Sequence, residues 1–181
     1  GVAPNVNHRV RRANRSREGV VNMGIIVGID LGTTNSNIAR LDDTGRPVMI
    51  ENTNSSESPN ITPSVVAFDG ANVLVGESAK EVAHLNPDGA VFEKWKLKMQ
   101  DPQAITKGGV TKTPVELSSL VLKELVAAAE QKTGQQVESA VITIPAKFEE
   151  EARRNTIAAG EAIGLKIKDI INEPTAAILP Y

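Results

Sequence analysis

The sequence predicts an α/β fold, a mixed sheet with helices on its faces, and three observations carry that expectation. An apolar run, Ile25-Ile26-Val27-Gly28-Ile29, leads into the turn Asp30-Leu31-Gly32-Thr33-Thr34-Asn35-Ser36. Strand-like segments separated by short turns follow it, as in an antiparallel meander. Beyond residue 140 the pattern changes to strand, helix, strand, helix, the alternation of parallel βαβ units. Ligands of such sheets bind at the strand ends.

The first strand, Ile25 to Ile29, suits burial on both faces. In the turn after it, Gly32 lacks a Cβ, so backbone N–H groups can approach an anion closely, and Thr33, Thr34 and Ser36 add hydroxyl donors. Consecutive N–H groups there form a concavity for phosphate oxygens, and Asp30 lies where a hydrated divalent cation can be held. Neither Gly-x-x-x-x-Gly-Lys-Ser/Thr nor Gly-x-Gly-x-x-Gly occurs, so the two commonest helix-N-terminal phosphate solutions lack their signatures.

Asn37 to Leu41 reads as the hairpin partner, Asp42-Asp43-Thr44-Gly45 as a turn and Pro47 to Ile50 as a third strand. Residues 52–63 are a loop rich in Asn, Ser and Pro, before strands at Ser64 to Phe68 and Val73 to Val75 around a turn at 69–72. Glu77 to Leu85 is a short helix that Asn86-Pro87 stops. Residues 101–113 read as a loop or weak hairpin. Thr113-Pro114-Val115-Glu116 then opens a helix with a capping residue, proline at the first position and a carboxylate at the third, and Gly134 ends it. Leu117, Leu120, Val121, Leu125, Ala128 and Ala129 share one face, which sets this helix between layers. The alternation is completed by a buried strand at Ala140 to Ile144, a helix from Glu149 to Ile163, a strand at Ile167 to Ile171 and a helix start at Glu173.

The bulk numbers fit one core: 181 residues, 19.3 kDa, 40% hydrophobic and 23% charged. No apolar run approaches the roughly 20 residues of a membrane span, so no membrane role is expected. The absence of cysteine removes disulfides and thiolate metal sites and fits a reducing compartment, with the cytoplasm as the expected location. Residues 1–23 carry five arginines against Glu18. They read as a basic leader, disordered or left from expression, and without apolar periodicity they do not make a case for nucleic acid binding.

Two later segments narrow the reading: Ala140-Val141-Ile142-Thr143-Ile144-Pro145-Ala146-Lys147-Phe148 and Ile170-Ile171-Asn172-Glu173-Pro174-Thr175-Ala176-Ala177. With the turn at 30–36 they resemble the seventy-kilodalton heat-shock chaperones of the DnaK type, over about Gly24 to Tyr181. Asn35 resembles the bacterial branch. The resemblance implies the ribonuclease-H-like ATPase fold shared with actin and sugar kinases, of which residues 24–181 supply a partial first lobe only, with a small upper subdomain at roughly 52–134.

It also implies roles. Gly32, Thr33, Thr34 and Asn35 bind phosphate, and Asp30 holds the water shell of Mg²⁺. Glu173 orients a water or holds the same shell, and Pro145 with Arg153 relays nucleotide state toward the neighbouring domain. A lysine that touches the γ-phosphate is expected near Phe92-Glu93-Lys94-Trp95-Lys96-Leu97-Lys98-Met99-Gln100, and alignment on Met99 selects Lys96. The spacing from Phe92 is one residue longer than usual and Gln100 replaces a glycine, so Lys94 and Lys98 remain alternatives. The plainer reading is one solvated lysine face with Trp95 packed inward.

The implied cofactors are ATP or ADP with Mg²⁺. The implied partners are unfolded or extended polypeptides, a J-domain co-chaperone and a nucleotide-exchange factor. The intact parent is expected to hydrolyse ATP and this chain alone to be inactive, because one lobe is one jaw of a clamp. The alternatives are a piece of a sugar or glycerol kinase, or a non-enzymatic module that self-associates through an exposed lobe face.

Overall fold

A computed structural model of the chain describes residues 24–172. The leader at 1–23 and the helix start at Glu173 lie outside the described residues. The main sheet opens with β1 (Ile25–Leu31) and β2 (Asn35–Leu41), an antiparallel pair, and continues through β3 (Pro47–Met49). A two-residue strand, β4 (Thr62–Pro63), pairs with the start of β2.

A second, three-stranded sheet is built from β5 (Val65–Asp69), β6 (Asn72–Val75) and, after helix α1 (Glu77–Leu85), β7 (Ala90–Glu93). A 3-10 turn at Trp95–Lys98 follows, then the small hairpin β8 (Ile105–Lys107) and β9 (Val110–Lys112). Helix α2 (Pro114–Thr133), strand β10 (Val137–Ile144), helix α3 (Glu150–Glu161) and strand β11 (Lys166–Asn172) complete the described chain. The main sheet runs β11-β10-β1-β2-β3, with β1, β10 and β11 parallel.

The meander and the βαβ alternation therefore form as the pattern predicts. Some elements depart from it, among them β4, which lies inside the expected loop at 52–63. Strand β7 and the 3-10 turn are read from no signal in the sequence, because Ala90–Glu93 is short and runs straight into alternating lysines. Of the two readings of 101–113, loop or weak hairpin, the hairpin is the one that forms. Strand β2 starts two residues earlier than expected, at Asn35, which shortens the phosphate turn to Gly32–Thr34.

Pleat alternation divides the main sheet into two faces. Val27, Ile29 and Leu31 of β1, Ile38 of β2, Ala140, Ile142 and Ile144 of β10 and Ile170 of β11 are buried in one core. Helix α2 lies over this face and also packs on the small sheet through the same core, which includes Val66 and Phe92. The opposite side of β5, Val65 and Ala67, forms a second cluster with Ala79 of α1 and Val91 of β7. The small sheet is thus sandwiched between α1 and α2.

Helix α2 has its expected ends. Thr113 Oγ1 accepts from Glu116 N at 3.2 Å, and Thr113 N donates to Glu116 Oε2 at 2.9 Å, a reciprocal capping box. Gly134 closes the helix in the left-handed region at φ 68°. Helix α3 has no side-chain cap of its own at Glu149. Instead Ala152 N donates to Gln100 Oε1 at 3.3 Å, and Asn155 Nδ2 donates to Met99 O at 2.7 Å. Gln100, at a position where the resemblance expects glycine, ties the 3-10 segment to α3.

Candidate phosphate-binding site

The three parallel strands end together, since Asp30 registers with Thr143 and Thr143 with Ile171. The turn Gly32–Thr34, Pro145 and Asn172 therefore lie at one edge of the sheet, the edge where ligands of α/β sheets bind. Asp30 is on the face away from the core side chains and is half-buried. Thr143 Oγ1 donates to Asp30 Oδ1 at 3.3 Å, which orients the carboxylate and leaves Oδ2 for another partner.

Glycine at 32 is required by its surroundings. A Cβ there would sit 1.9 Å from Asn35 O, so the missing side chain makes room for the hairpin's own carbonyl. Closing the turn tightly is thus a reason for glycine here in addition to the expected approach of backbone N–H groups to an anion. Ser64 holds the tip from outside: its Oγ donates to Gly32 O at 2.8 Å and its N donates to Thr34 O at 2.8 Å.

Ser36 is fully buried and paired with Ser64 Oγ at 2.8 Å, so the expectation that it donates to a ligand is wrong. Thr34 and Asn35 are exposed and Thr33 is half-buried, which leaves these three to meet solvent. Ser64 was not singled out from sequence, although Thr62-Pro63-Ser64 before an apolar strand was a signal for a structured edge.

The three lysines do not form one solvated face. Lys96 is buried at 4% exposure, with Nζ 5.4 Å from the centroid of the Phe148 ring, a cation–π arrangement. Trp95 does pack inward, its Nε1–H donating to Ser118 Oγ of α2 at 3.0 Å. Lys98 is exposed. Lys94 lines a cavity of about 210 Å³ together with Thr33, Thr34, Asn35 and Ser64, and with Lys80 of α1. The fold separates the candidates: Lys94 is beside the turn and Lys96 is under Phe148.

Phe148 belongs to the turn after β10, where its N donates to Pro145 O at 3.0 Å. Arg153, on α3, reaches the end of β11, with Nη1 3.5 Å from Asn172 Oδ1. Lys96, Pro145 and Arg153 are thus brought to the same sheet edge as Asp30, while Glu173 lies outside the described residues. No group of three or more His, Cys, Asp or Glu side chains that can hold a metal occurs among the described residues. Asp30 with one open oxygen fits a cation bound through its waters, the mode Mg²⁺ favours.

The family model described as Hsp70 protein matches residues 26–103 and 94–181. The chain belongs to the Hsp70 family. Among curated Hsp70 relatives it is 43% identical to "Chaperone protein DnaK" of Thermus thermophilus over 180 residues, covering 88% of this chain and 29% of that protein. It is 43% identical to the DnaK of Mycoplasmoides gallisepticum over 162 residues, 88% of this chain and 27% of the relative. It is 41% identical to that of Mycoplasmopsis agalactiae over 157 residues, 87% of this chain and 25% of the relative. The chain spans less than a third of the length of these relatives. The mixed sheet is that of the Hsp70 ATPase fold, of which the chain forms part of the first lobe, and the relatives do not favour the sugar-kinase alternative.

Proposed function

We propose that this chain carries the first phosphate-binding hairpin of an ATP-dependent protein-folding chaperone. Gly32, Thr33, Thr34 and Asn35 bind the phosphates of ATP or ADP through main-chain N–H groups and hydroxyls. Asp30 holds the hydration shell of Mg²⁺, which when bound neutralises charge on the phosphates. Lys96 positions the attacking water, Glu173 orients it, and Pro145 and Arg153 pass nucleotide state to the rest of the intact protein. That protein binds unfolded or extended polypeptides in the cytoplasm, served by a J-domain co-chaperone and a nucleotide-exchange factor. Residues 24–181 are the partial first lobe, with an upper subdomain at roughly 52–134 after a basic leader at 1–23.

The observation that carries this reading is the β1–β2 tip. Ser64 fixes it from one side, and Thr33, Thr34 and Asn35 are left facing a cavity at the ligand-binding edge of the sheet. One lobe leaves the phosphates open to water and salt, so binding by the chain alone is weak and salt-sensitive. Calorimetric titration with Mg-ATP tests it. The expected result is a weak, saturable heat that Asp30→Asn and Gly32→Ala each diminish, with no hydrolysis above a blank. Binding that neither substitution alters overturns the assignment, and turnover by this chain that Lys96→Ala abolishes overturns the expectation that it is inactive alone.

A further inference from the structure

The 3-10 turn and helix α3 cap one another. The first N–H groups and the last carbonyls of a helix have no partner within it, and an N-terminal cap normally comes from the residue just before the helix. Glu149 makes no such bond for α3. Gln100 replaces it from outside, its Oε1 accepting from Ala152 N in the first turn of the helix at 3.3 Å. In return, Asn155 Nδ2 of α3 donates at 2.7 Å to the main-chain oxygen of Met99, the residue that closes the 3-10 turn. A carbonyl can only accept, so this bond also fixes which way round the Asn155 amide lies.

Lys96 lies inside that exchange. On its other side the turn is anchored to α2, where Ser118 Oγ accepts from Trp95 Nε1 at 3.0 Å and donates to Met99 Sδ at 3.6 Å. Phe148, the ring that faces Lys96 Nζ, leads directly into α3. The Lys96–Phe148 contact therefore spans the same two elements that the caps join. Gln100 and Ala152 line the same small cavity as Lys96 and Phe148, of about 200 Å³.

We propose that Asn155 and Gln100 are positioning residues: together they set where the Lys96 ammonium stands, so that its placement follows α3. The inference rests on the reading of Lys96 as the group that positions the attacking water. Each side chain acts through the turn and touches no nucleotide itself. A long lysine stem has many rotamers, and two bonds that hold its backbone against the helix carrying Phe148 remove much of that freedom. Because α3 also bears Arg153, next to Ala152, a shift of that helix carries the lysine with it.

The test is proton NMR of the 181-residue chain, read at the Lys96 Cε methylene. The ring current of Phe148 is expected to displace these protons upfield in the parent, and Phe148→Leu to abolish the displacement. Asn155→Leu removes the donor and Gln100→Met the acceptor, each at nearly constant size. Both are expected to bring the signal toward the ordinary lysine position, Asn155→Leu further because its bond is shorter and less exposed. Gln100→Glu keeps an acceptor at the same reach and is expected to keep the parent shift. Thr113→Ala, which weakens α2 at its own cap, is expected to leave it unaltered, and this separates positioning from a general loss of stability. Gln100 is exposed, so its variants report even if Asn155→Leu does not fold.

A displacement that is equal in the parent, Asn155→Leu and Gln100→Met overturns the proposal, and so does Gln100→Glu behaving as Gln100→Met. Mg-ATP added to each sample tests the reading beneath it. Movement of the Lys96 signal that is strong in the parent and reduced in the Leu and Met variants supports both. Movement of the same size in all of them shows that the lysine reaches the nucleotide without the caps and overturns the functional role given to Asn155 and Gln100. A cap-dependent displacement with no response to Mg-ATP keeps the positioning of Lys96 and removes its nucleotide role.

Discussion

Glycine at position 32 owes its place to a carbonyl further along its own hairpin, and this makes the site sensitive to a single methyl group. With a Cβ 1.9 Å from Asn35 O, Gly32→Ala must open the turn, because a backbone carbonyl cannot step aside as a side chain can. The expected cost is about 1–3 kcal/mol, read as a lower melting temperature together with the loss of phosphate-induced NMR shifts at Thr33. Ser64→Ala leaves Ser36 Oγ buried without its partner and frees Gly32 O, so it is expected to cost about 1–3 kcal/mol. Chemical denaturation measures it, and the paired change Ser36→Ala/Ser64→Ala is expected to recover part of the loss. That Gly32, Thr33 and Thr34 form a turn between two strands was legible in sequence because turn chemistry is local. The true duty of Ser36 was not, since it depends on a serine 28 residues away.

At the scale of elements, α2 was readable end to end because each terminus carries its own chemical signal. Thr113→Ala removes the acceptor for Glu116 N and is expected to cost about 1 kcal/mol in urea unfolding, with Thr113→Ser close to the parent. The β2–β3 turn was equally plain. There Asp42 Oδ1 accepts from Thr44 Oγ1 at 2.7 Å and from the backbone N–H groups of Arg46 and Thr44 at 2.9 Å. These bonds, the Thr44 hydroxyl first and the Arg46 amide next, hold the carboxyl below the ordinary aspartate value. A depressed folded value means the contribution is present above the ordinary range and fades as pH falls through the folded one. Carboxyl ¹³C titration is expected to show Asp42 moving upward toward the ordinary value in Thr44→Ala. By contrast β7 and the 3-10 turn had no local signature. Their conformation is decided by where Phe92 and Trp95 can be buried, which only the assembled α2 and small sheet determine.

Across the whole molecule, one core joins both sheets through α2, and it responds to truncation as a unit. Leu125 is fully buried on that helix, so Leu125→Ala is expected to cost about 2–5 kcal/mol and to lower a single cooperative transition. Sequence periodicity anticipated this helix between layers and the βαβ run of β10, α3 and β11, but not the parallel pairing of β10 with β1. It did not anticipate that Gln100 and Asn155 fasten the Lys96 segment to α3, because side chains that cap a distant helix leave no periodic trace. That fastening links the lysine segment to the helix that bears Arg153, and Gln100→Gly is expected to lower thermal stability and to broaden the NMR signals of residues 95–100.

Trp95 is the single tryptophan of the chain, hydrogen-bonded to α2 and flanked in sequence by Lys94 at the cavity and Lys96 beneath Phe148. Any anion that draws either lysine changes the field and the packing around the indole, so the protein contains a built-in optical reporter. Its emission wavelength, followed during a stopped-flow mix with Mg-ATP, would time the arrival of the ligand without a dye.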